Sequence, residues 1–294
     1  MSNIALITAA LPFGALLYGM FRGKYQYQVL SYALTFEDLP EAFDGYTIAH
    51  VSDIHCGSFD DQEKVAYGIA LVQEQKPDLI LFTGDLVNNR ADELDPWQEV
   101  LGGLSAPDGV YSVLGNHDYG DYVPWGSTEE KKANLNDLKA RQAKMGWQLL
   151  LNEHRSIERN GQNIHLIGVE NWGAGGFKKS GDFQAATTGV DPEGFKVLMS
   201  HDPSHWEHQV KDHPTKVQLT LSGHTHGMQL GVDIPGLIKW SPVQYRYPFW
   251  AGIYKRNEKF LNVNRGFGFI GYPGRVGIKP EISVITLKKG SKTA

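Results

Sequence analysis

The sequence has little of what a disulfide-stabilised secreted protein needs, because its 294 residues include one cysteine, Cys56. An internal disulfide is therefore excluded, which fits a reducing compartment. A basic excess is also missing: 28 Lys and Arg stand against 33 Asp and Glu, for a formal net charge of −5. Since binding to a polyanion normally requires a basic face, we expect no nucleic acid partner, and a nuclease is disfavoured.

Charge is absent from the first part of the chain. No Asp, Glu, Lys or Arg occurs from Ser2 to Phe21, and residues 4–21 read IALITAALPFGALLYGMF. This is close to the minimum length for a membrane span, about 17–25 residues. We therefore predict a hydrophobic membrane segment over residues 1–24 and a catalytic domain over residues 25–294. The alternative is a buried helix of that domain.

Two basic residues, Arg22 and Lys24, follow this segment directly, whereas none precedes it. A cleaved signal peptide would require a basic stretch before the apolar one. The positive-inside rule places residues that follow such a basic pair in the cytoplasm. We predict a membrane-associated protein whose catalytic domain is cytoplasmic.

From Tyr46 onward, short apolar runs alternate with helical patterns, and there is no repeat of fixed period and no low-complexity tract. This alternation predicts an α/β domain in which helices cover the sheets. The predicted helices are 62–75, 97–104 and 129–145. The main predicted strands are 46–51, 79–83, 110–114, 147–151, 164–169, 195–199, 217–221, 260–263 and 282–287.

The residues with metal-binding or proton-transfer chemistry lie just past the ends of these apolar runs. They are Asp53, His55, Asp85, Asn116, His117, His201, His224 and His226. Strand ends of an open α/β sheet bring their side chains into one crevice. A crowd of carboxylates and imidazoles is costly there unless divalent cations compensate it, and ionised Asp and neutral His are the forms that bind such cations. Each motif alone is compatible with an ordinary turn, but their shared position after strands favours a metal site.

In their order along the chain, DIH (53–55), GD (84–85), GNHD (115–118), His201 and GHTH (223–226) resemble the calcineurin-like metallophosphoesterases. The segment RGFGFIGYPGRVGIKPEI (265–282) is similar to the membrane-associated bacterial branch of that family. The resemblance implies a four-layer α/β/β/α sandwich of two mixed sheets. It also implies two divalent metal ions, Mn, Fe or Zn. One would be held by Asp53, His55 and His226, the other by Asn116, His201 and His224, with Asp85 bridging.

A mechanism for phosphoester hydrolysis follows from this ligand set. A hydroxide shared by the two cations is expected to attack phosphorus in line with the leaving group. By the resemblance, His117 protonates the leaving oxygen, and we expect Asp118 to orient it. Arg275 carries a guanidinium that matches phosphate and is either a phosphate anchor or an ordinary loop arginine. Cys56 is interpreted as a small buried residue, the alternative being an additional soft ligand.

The substrate is predicted from an aromatic and aliphatic stretch after the GHTH motif. Residues 234–254 read IPGLIKWSPVQYRYPFWAGIY and are interrupted by prolines. This stretch is either a loop that packs onto the domain or a rim that contacts lipid while its cations meet phosphate. The second interpretation predicts a phospholipid or lipid-linked pyrophosphate as substrate. The alternatives are a soluble phosphodiester or phosphomonoester, or a membrane-tethered binding protein with a relict metal site.

Overall fold

The computed structural model describes residues 3–234 and 236–291, and its side chains from Ala10 onward. Six α-helices lie in this part of the chain: α1 (Asn3–Phe21), α2 (Gln62–Glu74), α3 (Gln98–Leu101), α4 (Thr128–Lys144), α5 (Phe183–Thr187) and α6 (Pro203–His205). Residues 1 and 2 and the side chains of residues 3–9, which belong to the predicted membrane segment, lie outside the description. Within the described residues, no helix combines the length and the apolar character that a bilayer span requires.

Fourteen strands are described. They are β1 (Gln28–Phe36), β2 (Thr47–Val51), β3 (Leu79–Phe82), β4 (Val110–Ser112), β5 (Trp147–Leu149), β6 (Glu153–Arg159), β7 (Gln162–Gly168), β8 (Lys196–Met199), β9 (Leu219–Ser222), β10 (Val232–Ile234), β11 (Ile238–Trp240), β12 (Gly252–Arg256), β13 (Lys259–Val263) and β14 (Glu281–Lys289). Short 3-10 turns lie at Gly23–Tyr25, Glu41–Phe43, Cys56–Ser58, Ala91–Leu94, His117–Tyr119, His226–Gln229 and Pro242–Tyr245, and a π turn at Trp206–Val210.

Two six-stranded mixed sheets organise the domain. The first has the order β1-β14-β2-β3-β4-β5 and the second the order β12-β13-β9-β8-β7-β6, while β10 and β11 form a separate hairpin. An apolar core between the sheets joins residues such as Ile48 and Leu81 of the first to Val197 and Leu221 of the second. Helices α2, α3 and α4 cover the outer face of the first sheet, and α5 with the π turn covers that of the second. The predicted four-layer α/β/β/α sandwich is confirmed.

Parallel pairing determines where the polar strand ends meet. β2, β3 and β4 are parallel neighbours, with Val51 opposite Phe82 and Phe82 opposite Ser112. In the second sheet β8 and β9 are parallel neighbours, with Met199 opposite Leu221. The carboxyl ends of parallel strands lie at the same sheet edge, so the segments after these five strands gather in one place.

Helix α1 ends against the loop that precedes β14. A Cβ atom added to Gly19 would lie 2.7 Å from both Tyr272 and Val276, and one added to Gly23 would lie 2.1 Å from the carbonyl oxygen of Arg275. The Arg275 amide donates to the carbonyl of Gly19 at 3.2 Å. Only glycine permits this close approach of the two backbones. The division of the chain into residues 1–24 and 25–294 stays a prediction.

Candidate metal centre

The segments that follow the strands adopt a backbone conformation that non-glycine residues rarely adopt. Asp53, His55, Asp85, His224 and His226 all have φ between +48° and +69°. Such left-handed conformations cost on the order of 1–3 kcal/mol each and tend to cluster at functional sites. Their side chains point to the place where the carboxyl ends of the strands meet. The strained backbone conformation therefore brings the ligand atoms together.

Glycines allow these loops to touch. A Cβ atom at Gly223 would lie 2.1 Å from a carboxylate oxygen of Asp53, and one at Gly115 would lie 2.2 Å from a carboxylate oxygen of Asp85. Hydrogen bonds also join the loops that follow β2 and β9, because the amide of His224 donates to both carboxylate oxygens of Asp53 at 3.0 Å. The glycines of the GNHD and GHTH motifs are therefore required by the close approach of neighbouring loops.

The first ligand group consists of Asp53, His55 and His226, whose ligand atoms lie within 4.8 Å of one another. All three are buried. His226 Nε2 is 3.3 Å from Asp53 Oδ1. Both ring nitrogens of His55, and Nε2 of His226, lack a hydrogen-bond partner among the described residues. Because buried polar atoms are nearly always paired, these orphaned nitrogens fit a site built for a cation.

The second ligand group consists of Asp85, His201 and His224, again with ligand atoms within 4.8 Å. Asn116 adjoins it, since its Oδ1 lies 2.9 Å from His224 Nδ1 and 3.2 Å from His201 Nε2. Asp85 Oδ2 lies 3.1 Å from His201 Nε2 and 3.4 Å from His55 Nε2 of the first group. One carboxylate thus faces both groups, which is the position that a bridging ligand requires.

Burial and mutual charge set the protonation of the two groups. Burial lowers the pKa of His55 to about 3, so its imidazole is neutral. Burial raises the pKa of Asp53, but His226 and neighbouring imidazoles lower it more, and the net value lies below the ordinary one. Burial also raises the pKa of Asp85, but His201, His117 and His55 together lower it more, so the net shift is downward. Burial lowers the pKa of His201, but Asp85 raises it more, to about 10, so without a cation this ring carries a proton that metal binding would displace. Ionised carboxylates and deprotonated imidazoles are the donor set that a divalent cation prefers.

His117 lies at the mouth of the centre and is partly exposed. Its backbone amide donates to Asp85 Oδ1 at 2.8 Å, and its ring Nδ1 lies 2.8 Å from the carbonyl oxygen of Asn88. Its ring also packs edge-on against that of His55, with centroids 5.0 Å apart. The Asn88 carbonyl fixes Nδ1 as the protonated nitrogen, so Nε2 is the atom left for proton transfer.

The hydrogen bonds of the Asp118 carboxylate run to main-chain amides, and its predicted role in orienting the His117 ring stays a prediction. Its carboxylate accepts hydrogen bonds from the backbone amides of Gly115, Asp85, Leu86 and Val87, at 2.8–3.3 Å. These four amides belong to the segments after β3 and β4. Asp118 therefore holds the two segments together and supports Asp85 from behind.

Arg275 is also placed differently from the phosphate anchor that the sequence suggested. Its side chain is 1% exposed. The guanidinium donates to the carbonyl oxygens of Arg265, Gly266 and Gly268 at 2.5–3.1 Å, and its Nη2 lies 3.2 Å from His226 Nδ1. With its donors occupied by carbonyls, Arg275 contacts a metal-ligand candidate from behind and is not presented to a phosphate group.

Cys56 is buried in the apolar core beneath α2 and is in neither ligand group. Three residues that sequence reasoning did not single out do contact the centre. Tyr122 accepts a hydrogen bond from Asn116 Nδ2 at 2.9 Å and stacks on His117 with centroids 4.5 Å apart. Tyr247 and Asp202 contact the outer side of His224. The adjacency of Asp202 to His201 was a sequence signal that could have found Asp202, but it points to neither tyrosine.

Comparison with known proteins identifies the family. A family model described as calcineurin-like phosphoesterase matches residues 46–228. The uncharacterized metallophosphoesterase YkuE of Bacillus subtilis is 31% identical over 254 residues, which cover 85% of this chain and 82% of that protein. The chain belongs to the calcineurin-like phosphoesterases. It is accordingly a hydrolase of phosphoric esters, and its family uses a dinuclear site for divalent metals.

Two further relatives of this calcineurin-like phosphoesterase have more specific names. A "transmembrane protein with metallophosphoesterase domain" of Danio rerio is 30% identical over 291 residues, covering 97% of this chain and 62% of that protein. The UDP-2,3-diacylglucosamine pyrophosphatase LpxG of Chlamydia muridarum is 24% identical over 278 residues, covering 78% of this chain and 81% of that protein. The family and enzyme class predicted from the sequence motifs are thus confirmed.

Proposed function

We propose that this phosphoesterase holds two divalent cations, one on each ligand group, and hydrolyses a phosphoester that is carried by a lipid at a membrane surface. The observation that carries the first part is the pair of ligand groups facing one carboxylate, Asp85, with the ring nitrogens of His55 and His226 left without partners. Nitrogen and oxygen donors without thiolate suit Mn²⁺, Fe or Zn²⁺.

Two cations in these groups would lower the pKa of a water molecule between them and offset the negative charge of the phosphate. The residues of the chain supply the remaining chemistry. In its doubly protonated form, His117 gives the Nε2 proton to the leaving oxygen and becomes the neutral ring, whose Nδ1 proton stays bound to the Asn88 carbonyl. The side-chain oxygen of Asn116 faces the second group, and its side-chain nitrogen donates a hydrogen bond to Tyr122. Tyr122 thereby fixes the orientation in which the oxygen, and not the nitrogen, faces the second group.

The second part of the proposal depends on an apolar surface beside the centre, which we call the apolar rim. Nearly all the strongly exposed large apolar side chains among those described lie in α1 or in residues 228–245. The two exceptions are Tyr67 and Tyr122. The rim comprises Leu11, Phe13, Leu16, Leu17 and Phe21 of α1, and Met228, Leu230, Val232, Ile234, Leu237, Ile238 and Trp240 of the β10–β11 hairpin and the turn before it.

Val276 joins the two parts of the apolar rim. It lines an apolar groove together with Leu11 and Tyr18 of α1. On its other side it bridges to Leu230, and its amide donates to the carbonyl of Gln229 at 2.8 Å. The rim is thus continuous in space, and its hairpin part begins two residues after His226. A lipid seated on it would present its phosphate near the ligand groups.

A contiguous exposed apolar surface on a soluble domain normally marks an interaction site. The bilayer is the occupant that the relatives favour, since one is named a transmembrane protein and another a pyrophosphatase of a diacylated sugar nucleotide. Membrane association through the apolar rim needs no span. The cytoplasmic placement that Arg22 and Lys24 predict stays a prediction.

A substitution in the hairpin tests the lipid substrate. The double change Leu237→Ser with Ile238→Ser removes two exposed apolar side chains far from the strand core. We expect it to lower the rate on a diacyl phosphoester in vesicles about tenfold or more, because burial of each side chain contributes roughly 1.5–3 kcal/mol. The rate on water-soluble bis-p-nitrophenyl phosphate with Mn²⁺ should not change.

Tyr67→Ser is the matched control, because Tyr67 is 58% exposed on α2, outside the rim. It should leave both rates unchanged. Equal rates of wild-type and hairpin variant on the vesicle substrate would contradict the lipid proposal and favour a soluble phosphodiester or phosphomonoester. The metal-dependent hydrolysis itself would not be affected by that outcome.

A further inference from the structure

The imidazole of His224 is held on both sides. Its Nδ1 lies 2.9 Å from Asn116 Oδ1 and 3.3 Å from His201 Nε2, so this nitrogen faces the second ligand group. Its Nε2 points the opposite way and lies 2.8 Å from the hydroxyl oxygen of Tyr247. A neutral imidazole has one proton and one lone pair. If Nδ1 gives its lone pair to a cation, the proton must be on Nε2, where Tyr247 is placed to accept it.

Tyr247 is in turn tied to a buried carboxylate. Its hydroxyl donates to Asp202 Oδ2 at 3.4 Å, and the same oxygen lies 3.4 Å from His224 Nε2. Asp202 is fully buried and Tyr247 is 8% exposed. The other carboxylate oxygen of Asp202 accepts from the amide of Ser204 at 2.8 Å, which fixes the carboxylate in this orientation. Donor and acceptor therefore alternate from His224 through Tyr247 to Asp202.

The segment that carries Tyr247 is fastened to the GHTH loop at both ends. Ser241 Oγ donates to the carbonyl oxygen of Gly227 at 2.7 Å, and Thr225 Oγ1 donates to the carbonyl oxygen of Trp250 at 2.7 Å. Tyr247 therefore has a fixed position relative to His224, even though it follows the hairpin in a region without long strands or helices.

We propose that Tyr247 is a positioning residue that fixes His224 as an Nδ1 ligand of the second group, with Asp202 as the final acceptor of the hydrogen-bonded chain. This rests on the proposed function, in which the second group holds a cation. Partners of the distal nitrogen of a ligating histidine fix its tautomer and ring orientation, and their loss typically weakens metal affinity or activity 10–100-fold. Among the described residues, Tyr247 and Asp202 contact His224 and no member of the first ligand group, so the effect should be confined to the second.

Calorimetric titration of metal-free protein with Mn²⁺ tests this without relying on activity. We expect Tyr247→Phe to weaken one of two binding events about tenfold or more and to leave the other unchanged. Tyr245→Phe is the matched control, because Tyr245 is 81% exposed on the same segment, and both events should be unchanged in it. Thermal melting of the metal-free variants checks that they fold like the wild type.

Asp202→Asn provides a second, independent variant, since its amide keeps an oxygen for Ser204 but removes the anionic acceptor. It should weaken the same event, and the double variant should lose little more than Tyr247→Phe alone because both act through one proton. If the titration curves of Tyr247→Phe and Asp202→Asn overlay that of the wild type, the positioning role is overturned. If the wild type itself binds no metal, the proposed function fails instead.

Discussion

The two ligand groups differ in how their imidazoles are supported. In the first group, both ring nitrogens of His55 and Nε2 of His226 are without hydrogen-bond partners. In the second, His201 Nδ1 lies 2.7 Å from the carbonyl oxygen of Thr83, and His224 Nε2 lies 2.8 Å from Tyr247. Both rings of the second group are thus held by hydrogen bonds before any cation arrives. In the first group, His226 Nδ1 has the Arg275 guanidinium as a partner, whereas His55 is held by packing and by its strained backbone.

The charged side chains next to the two groups also favour metal binding by the second group. The buried guanidinium of Arg275 lies 3.2 Å from His226 in the first group, whereas the carboxylate of Asp202 lies 3.4 Å from His224 in the second. A cation disfavours a second cation nearby, and a carboxylate favours it. We therefore expect the second group to bind its metal more tightly than the first.

The largest effect should come from the residue that the groups share. Asp85→Asn replaces the carboxylate that faces both groups with a neutral amide, so both binding events should be lost. Hydrolysis of bis-p-nitrophenyl phosphate should fall further than the 10–100-fold typical for partners outside the ligand set. Metal analysis by plasma mass spectrometry and steady-state kinetics measure the two quantities. A variant that kept two ions per chain would show that the groups do not depend on Asp85.

The two histidines of the GHTH motif provide a matched pair, because both follow β9 but belong to different groups. His224→Ala should remove the tighter Mn²⁺ binding event and His226→Ala the weaker one, each by more than about 100-fold in affinity. Titration calorimetry distinguishes them. Loss of the tighter event in His226→Ala would contradict the expectation that the second group binds its metal more tightly than the first.

His117→Ala tests whether the ring at the mouth is a ligand of the first group or a proton donor. We expect both metals to stay bound and turnover to fall about 100-fold or more on alkyl phosphoesters, where the leaving oxygen needs a proton. The loss should be smallest on nitrophenyl esters, whose leaving group departs without one. A drop in metal content in place of a drop in turnover would assign His117 to the ligand set.

The smallest effect concerns pH and the support of the second group. His50 Nε2 lies 2.8 Å from Thr83 Oγ1, the residue whose carbonyl faces His201. Burial lowers the pKa of His50 from 6.5 to about 4. The unfolded chain therefore takes up this proton first as the pH falls, so the stability that neutral His50 contributes is complete above pH 6.5 and lost towards pH 4. The loss is at most about 3 kcal/mol.

Urea unfolding of metal-free protein at pH 7 and pH 4.5 measures this contribution. His50→Gln keeps the side chain's hydrogen-bonding capacity without a group that titrates in this range. The wild type should lose more stability than this variant between the two pH values. Equal losses in both proteins would show that His50 does not contribute to the acid sensitivity of the fold.

The sequence singled out the residues that the structure brings together at the centre, because they lie in local patterns. β2, β3 and β4 are buried on both faces and appear as short apolar runs, and each is followed at once by its polar residues. By contrast, β1 was not predicted. Seven of its nine residues are partly buried or exposed, and its partner is β14 at the other end of the chain. Such long-range pairing leaves little trace in a local pattern.

The contacts of Asp118 and Arg275 were not foreseen from the sequence, for a related reason. Asp118 and Arg275 were assigned by their chemistry, but what each side chain contacts is decided by backbone groups of other loops: the amides of residues 85–87 and the carbonyls of residues 265–268. Tyr247 was missed because its contact with His224 joins two side chains 23 positions apart, and nothing near it in sequence marks it as a partner. Hydrogen bonds to main-chain atoms across loops carry no residue-type signal.

Anomalous diffraction from crystals soaked in Mn²⁺ tests the central claim most directly. We expect two peaks about 3.5–4 Å apart, one within each ligand group and both in contact with Asp85. The peak in the second group should appear at the lower Mn²⁺ concentration. A single peak, or peaks away from these six side chains, would contradict it.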